Sequence, residues 1–272
     1  MLPRPSRGPA RPPARRFPRS LPGLLTGAAV LGQIAHPLLR GENLRRATIG
    51  SVGVFCAAAL ADTARRHGPG AAARTLVVAG GVGLLAEVVG TRTGRPFGRY
   101  RYAGTLGPQV LDVPVVVPLA WTMMAAPALQ LGRTLAPTGR WHSPVAVGAA
   151  AWTLATWDLF LDPQMTAAGH WAFAEPDPHL PGVPGIPLSN YAGWVLTSLL
   201  LCAGLHRAVP AAQPAGSRPA AQAVPGWLLG WTWLGSTLAN AAFFGRPRVA
   251  GYGGVAMGLT VGPYLARIRR SA

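Results

Sequence analysis

Acidic side chains are scarce in this sequence: 272 residues carry 8 aspartates and glutamates against 25 basic residues, and charged residues make up only 12%. A soluble domain carries about a quarter. Lysine is missing altogether, so every basic residue is arginine. The two cysteines, Cys56 and Cys202, cannot build a disulfide framework, and no C-x-x-C pair exists for zinc or redox chemistry. Both lie in apolar stretches and read as small buried hydrophobes. His36, His67, His142, His170, His179 and His206 show no H-x-x-x-H or H-E-x-x-H spacing, which removes the framework of a zinc or di-iron site. His170, Glu175, Asp177 and His179 crowd one loop, where a solvated polar cluster is preferred to a metal site because nothing fixes their geometry. No metal and no cofactor is therefore expected. A nucleophilic serine elbow, a Walker loop and a deaminase zinc pattern are also absent.

Half of the chain is hydrophobic, and the apolar residues fall in long blocks. The blocks lie at about 22–39, 47–64, 72–90, 113–135, 144–162, 187–206, 225–244 and 249–267. Each approaches the ~20 residues that cross a hydrocarbon core. The reading is an all-α, polytopic integral membrane helix bundle of about eight spans. Seven remain open because only Gly245 to Arg248 part the last two. Residues 1–20 hold six arginines and six prolines with nothing to bury, and read as a disordered tail before a 21–272 membrane domain. Arg15-Arg16-Phe17 faintly resembles an export signal, yet no cleavage site closes the first block, so a retained helix is preferred. With eight spans, sixteen arginines fall on the side of the termini and nine on the other. That bias puts both termini in the cytoplasm of a cell-membrane protein. The arginines punctuate the gaps between blocks instead of clustering with aromatics, which implies membrane lipid as a partner and no nucleic acid.

Gly81, Gly83 and Ala86, after Gly80, have the spacing of a dinucleotide fingerprint. The strand before it and the acid about 20 residues on are both missing, so close helix packing is the better account.

The acids carry the information. An ionised carboxylate at the centre of a membrane helix costs at least ~2.5–3.5 kcal/mol, so such residues have a partner or a task. Glu87 lies three residues before the end of the third block, and Asp158 and Asp162 close the fifth. Alternating spans put them on one level with His36, Trp121, Asn190 and Trp194. Asp158 and Asp162 are spaced i, i+4, which on a helix leaves roughly 5–6 Å between their Cβ atoms. Two carboxyls that close, among Trp152, Trp157 and Phe160, do not both ionise readily, so one stays protonated and able to donate. The structural alternatives are that Asp162 only turns the chain before Pro163 and that Asp158 and Glu87 are counter-ions of arginines such as Arg95 or Arg99.

The run Glu87-Val-Val-Gly-Thr-Arg-Thr-Gly-Arg-Pro-Phe-Gly-Arg-Tyr-Arg-Tyr102, then Leu106-Gly-Pro, Val113-Pro and Pro118-Leu-Ala-Trp-Thr-Met-Met124, forms one motif block. Thr156-Trp-Asp-Leu-Phe-Leu-Asp-Pro-Gln-Met165, Gly169-His-Trp171 and Gly185-Ile-Pro-Leu-Ser-Asn-Tyr-Ala-Gly-Trp194 form a second. Together, over about 76–200, they resemble the carotenoid 1′,2′-hydratase family, the CruF-type membrane proteins that include bisanhydrobacterioruberin hydratases. The chain departs from the family pattern in two places. Leu180-Pro-Gly-Val-Pro precedes Gly185 where the family has an aromatic, and Trp171-Ala-Phe173 replaces Trp-x-Trp.

The resemblance implies addition of water to the terminal double bond of an acyclic carotenoid, giving a tertiary alcohol. The implied partners are that carotenoid, water and other carotenoid-pathway membrane enzymes. Hydration of a trisubstituted alkene needs a proton donor, tolerance of a tertiary cation and one water. Asp158 or Asp162 is the expected acid, with the other carboxylate or Glu87 steering the water. Trp121, Trp157 and Tyr191 are expected to face the cation, beside Trp194. Asn190 is expected to hold the water or to cap the sixth helix. Arg95, Phe97, Arg99 and Tyr100 are expected to order the loop, the arginines (with Arg101) through ion pairs. Two other functions compete: a binder of a polyisoprenoid or other lipid without catalysis, and a proton-coupled transporter, which the single level of the acids disfavours.

Overall fold

The computed structural model describes residues 21–210 and 223–270, and the expected basic tail 1–20 lies outside them. Among the described residues there are eight helices. They are α1 (Leu21–Ala35), α2 (Gly41–His67), α3 (Pro69–Thr93), α4 (Val116–Leu135), α5 (His142–Ala167), α6 (Leu188–Ala208), α7 (Ala223–Leu238) and α8 (Pro247–Arg270). Each contains one of the eight apolar blocks or most of it. A π turn over Leu76–Gly80 lies inside α3, and a second, Ala239–Phe243, prolongs α7. Helices α2, α3, α5 and α6 are long and apolar enough to cross a membrane, with mean hydropathies of 1.3–1.6. The chain is a membrane helix bundle.

Helix α4 runs through the middle, buried from Trp121 to Gly132 along most of its length. Small residues let its neighbours approach. A Cβ on Gly132 would sit 2.0 Å from the Ala146 carbonyl of α5, so the two backbones nearly touch there. On α3, a Cβ at Gly83 would meet the Trp121 ring at 2.6 Å. The glycine run in the third block is thus a packing surface. Cys56 and Cys202 are both buried in the core.

One end of the bundle carries what apolar periodicity does not reveal, three short antiparallel ribbons. They are β1 (Tyr100–Tyr102) with β4 (Trp171–Phe173), β2 (Gln109–Val110) with β3 (Val113–Pro114), and β5 (His179–Leu180) with β6 (Val183–Pro187). Leu111 and Asp112 both take positive φ, 53° and 67°, in the two-residue turn between β2 and β3, the backbone such a tight hairpin demands. These ribbons come from the loops after α3 and α5, so they lie over the helix ends that carry Glu87, Asp158 and Asp162.

Candidate functional site

Glu87, Asp158 and Asp162 are all buried, with 6%, 0% and 3% of their surfaces exposed. Glu87 on α3 is held by three donors. The Tyr100 hydroxyl donates to Oε2 at short range, the Tyr102 hydroxyl to the same oxygen at 2.8 Å, and Trp121 Nε1 to Oε1 at 3.0 Å. An indole nitrogen can only donate, so this cage suits the ionised carboxylate. Tyr100 and Tyr102 reach one acceptor because alternate residues of a strand share a face. Their cross-strand neighbours Phe173 and Trp171 pack against them, with ring centroids 5.5 and 5.7 Å apart.

Asp158 and Asp162 share a face of α5 and are joined by one amide from α6. Asn190 Nδ2 donates to Asp158 Oδ2 at 2.8 Å and to Asp162 Oδ2 at 2.5 Å. Trp171 Nε1 adds a bond to Asp162 Oδ1 at 3.2 Å. Two carboxyls converging on one NH₂ group are well made to hold one proton between them. Among the described residues none of the three acids makes an ion pair. The counter-ion alternative for Glu87 and Asp158 therefore falls away. Helix α5 continues past Pro163 to Ala167, so Asp162 is no helix stop either.

A cavity of about 210 Å³ opens beside these groups. Glu87, Asp162, Asn190, Trp121, Trp157 and Trp194 border it. Trp121 and Trp194 stack at 4.1 Å with 16° between their planes, and Trp157 meets Trp194 edge-on at 5.9 Å. The far wall comes from α1 and α7, through Gln33, His36, Trp231 and Asn240 among others. Asp158 does not border the cavity, and its Oδ1 is buried without a partner.

Several expectations need correction. Tyr191 does not border the cavity, and its hydroxyl is buried without a partner among the described residues. Asn190 makes no helix cap because its amide is spent on the two aspartates. Arg95, Arg99 and Arg101 are exposed and make no ion pair among the described residues, so they do not order the loop in that way. Phe97 does that work. It wedges between α3 and α6, where a Cβ on Gly90 would come within 2.8 Å of its ring and one on Gly193 within 2.7 Å. Tyr100 belongs to the carboxylate cage instead of to the loop alone. In the histidine-bearing loops His179 pairs with Asp177 at 2.5 Å and His170 Nδ1 meets the Thr105 hydroxyl at 2.7 Å. Burial, with the nearby His36 and Arg45, pushes the His170 imidazole below its ordinary value, which keeps it neutral.

Tyr102 and Trp171 were quoted from the sequence only as motif residues without a role, and Gln33, Trp231 and Asn240 were not singled out. For Tyr102 a signal existed: Tyr-x-Tyr between glycines is a two-residue strand face.

A 127-residue segment is 35% identical to bisanhydrobacterioruberin hydratase of Haloarcula japonica, covering 45% of this chain and 42% of that relative. The chain thus matches less than half of the relative's length. No solved structure matches it. Residues 48–260, which carry the three carboxylates, their donors and most of the cavity wall, match the family model of carotenoid biosynthesis proteins, and the chain belongs to that family.

Proposed function

We propose that this protein hydrates the terminal double bond of an acyclic carotenoid, producing a tertiary alcohol without a cofactor. The observation that carries the reading is a group of three buried carboxyls, none paired with a cation among the described residues, of which Glu87 and Asp162 border an aromatic cavity. Asp162, which borders the cavity, donates the proton, and Asp158 behind it shares that proton through the Asn190-bridged pair. The alkene takes the proton at its less substituted carbon, leaving a tertiary cation. Glu87, which accepts from three donors, and the faces of Trp121, Trp157 and Trp194 stabilise that charge. Water then bonds to the cation, and its surplus proton returns to Asp162.

The cavity, at about 210 Å³, is smaller than the ~300–1,000 Å³ that encloses a drug-sized ligand. It takes an end group while the polyene extends into lipid. In this reading the eight helices are eight spans, both termini are cytoplasmic, and other membrane enzymes of carotenoid synthesis supply the substrate.

The test is expression in a host that accumulates lycopene, with mass analysis of the pigments. The expected result is a pigment heavier by one water, lost in Asp162→Asn. Unchanged pigment with the protein in the membrane, repeated in a host with a C50 acyclic precursor, would overturn the reading.

A further inference from the structure

The water in this reaction needs a holder, and Asn190, the expected one, is occupied between Asp158 and Asp162. We propose that Asn240 positions the attacking water from α7, the wall of the cavity that contributes no carboxylate; the assignment rests on the hydratase reading above. Asn240 borders the same cavity as Glu87 and Asp162, and only 1% of it is exposed. It sits in the π turn Ala239–Phe243, a distortion found often at functional sites. Its backbone is anchored by the amide of Arg246, which donates to the Asn240 carbonyl at 2.8 Å.

The side chain has one possible orientation. Nδ2 donates to the Ser236 carbonyl at 2.9 Å, and a carbonyl oxygen can be met only by the NH₂ end of an amide. Oδ1 is thereby left as a buried acceptor with no partner among the described residues. Such atoms are rare in native proteins and are completed by a water or a ligand. An amide oxygen also suits the chemistry. It is too weakly basic to take the proton from Asp162, and by accepting a hydrogen from the water it leaves the water's oxygen lone pair free for the cation.

In the step, Asp162 gives its proton to the less substituted alkene carbon and becomes a carboxylate. The oxygen of the water held by Asn240 bonds to the tertiary cation. The proton that water sheds returns to Asp162, so alkene and water become alcohol and the carboxyl is regenerated. Without a held water the cation has another exit: in D₂O the carbon that took the deuteron releases its original hydrogen to Asp162, which restores the alkene and leaves deuterium in it.

That exit gives the test. Membranes containing the full chain are incubated with lycopene in D₂O, and both alcohol and recovered lycopene are analysed by mass. Asn240→Leu is expected to cut alcohol formation by about a hundredfold, the scale of a misplaced reactant, while deuterium accumulates in the recovered lycopene. Asn240→Asp, which keeps an acceptor oxygen, is expected to restore part of the alcohol. Alcohol formation by Asn240→Leu at the wild-type rate would overturn the proposal. So would joint loss of alcohol and deuterium in both variants with the pigment still bound, since that marks a purely structural residue. A wild-type protein yielding neither alcohol nor deuterium would instead sink the hydratase reading, and this assignment with it.

Discussion

Two ends of this bundle bury aspartates, and they treat them in opposite ways. At the end away from the ribbons, Asp62 on α2 is 1% exposed and is gripped by Arg65 at Oδ1 and Arg66 at Oδ2, each at 2.7 Å. At the ribbon end, Asp158, Asp162 and Glu87 are equally buried and have only neutral donors: an amide, two indoles and two phenols. A guanidinium would pin a carboxylate in its ionised form and leave it inert as an acid. Neutral donors orient a carboxyl and let its proton move. With arginine as its sole basic side chain apart from histidine, the sequence had cations to spare for these sites, yet among the described residues none pairs with them. Burial of an acid is thus no mark of function by itself; the choice of partner is.

Substitutions can break this contrast or sharpen it. The largest expected effect is on turnover: Asp162→Asn lowers hydration by roughly 10²–10⁴, the worth of a general acid, while Asp62→Asn leaves turnover per folded molecule unchanged. Pigment mass analysis normalised to protein reads both. Stability reverses the order. Asp62→Asn strands Arg66, whose side chain is only 8% exposed, and costs about 3–5 kcal/mol, seen as a lower unfolding temperature in detergent. Asp158→Asn removes no attraction to a cation and is expected to leave that temperature unchanged or raise it. Gly193→Ala, which would set a methyl 2.7 Å from the Phe97 ring, costs about 1–3 kcal/mol and loosens the loop against α6, read by proteolysis between α3 and α4. Tyr102→Phe removes one of two phenols on Glu87 Oε2 and costs about 1.5–3 kcal/mol of stabilisation of that carboxylate, measured as a drop in turnover of roughly 10- to 100-fold. Arg95→Ala and Arg99→Ala, exposed and unpaired, shift stability by no more than about 0.5 kcal/mol.

The helices were legible because burial in lipid or protein demands long apolar runs, and each expected block falls within its helix or within a few residues of its ends. The i, i+4 spacing of Asp158 and Asp162 was legible for the same reason: helical geometry turns a sequence interval into a distance. What escaped was whatever depends on contacts across the chain. Nothing local to Glu87 says that Trp121, 34 positions on, will donate to it, and that contact exists because Gly83 leaves room for the indole. The ribbons were missed because strands of two to five residues are too short to show periodicity. The arginines were assigned to ion pairs on charge alone, while the loop is held by the shape of Phe97. Tyr191 was expected to face the cation, yet it does not border the cavity that its neighbour Asn190 borders, since neighbours in a helix are turned about 100° apart.

The Phe97 wedge divides the molecule into parts with different freedom to change. By fastening α3 to α6 through Gly90 and Gly193, it locks the donors of Glu87 into register with the Asn190-bridged pair. Helices α1 and α7 border the same cavity and share none of those bonds, so their side chains can be exchanged without disturbing the acids. A descendant of this protein that met a bulkier end group would adapt on the α1–α7 wall around Asn240, and its chemistry would pass through the change intact as long as that amide stayed.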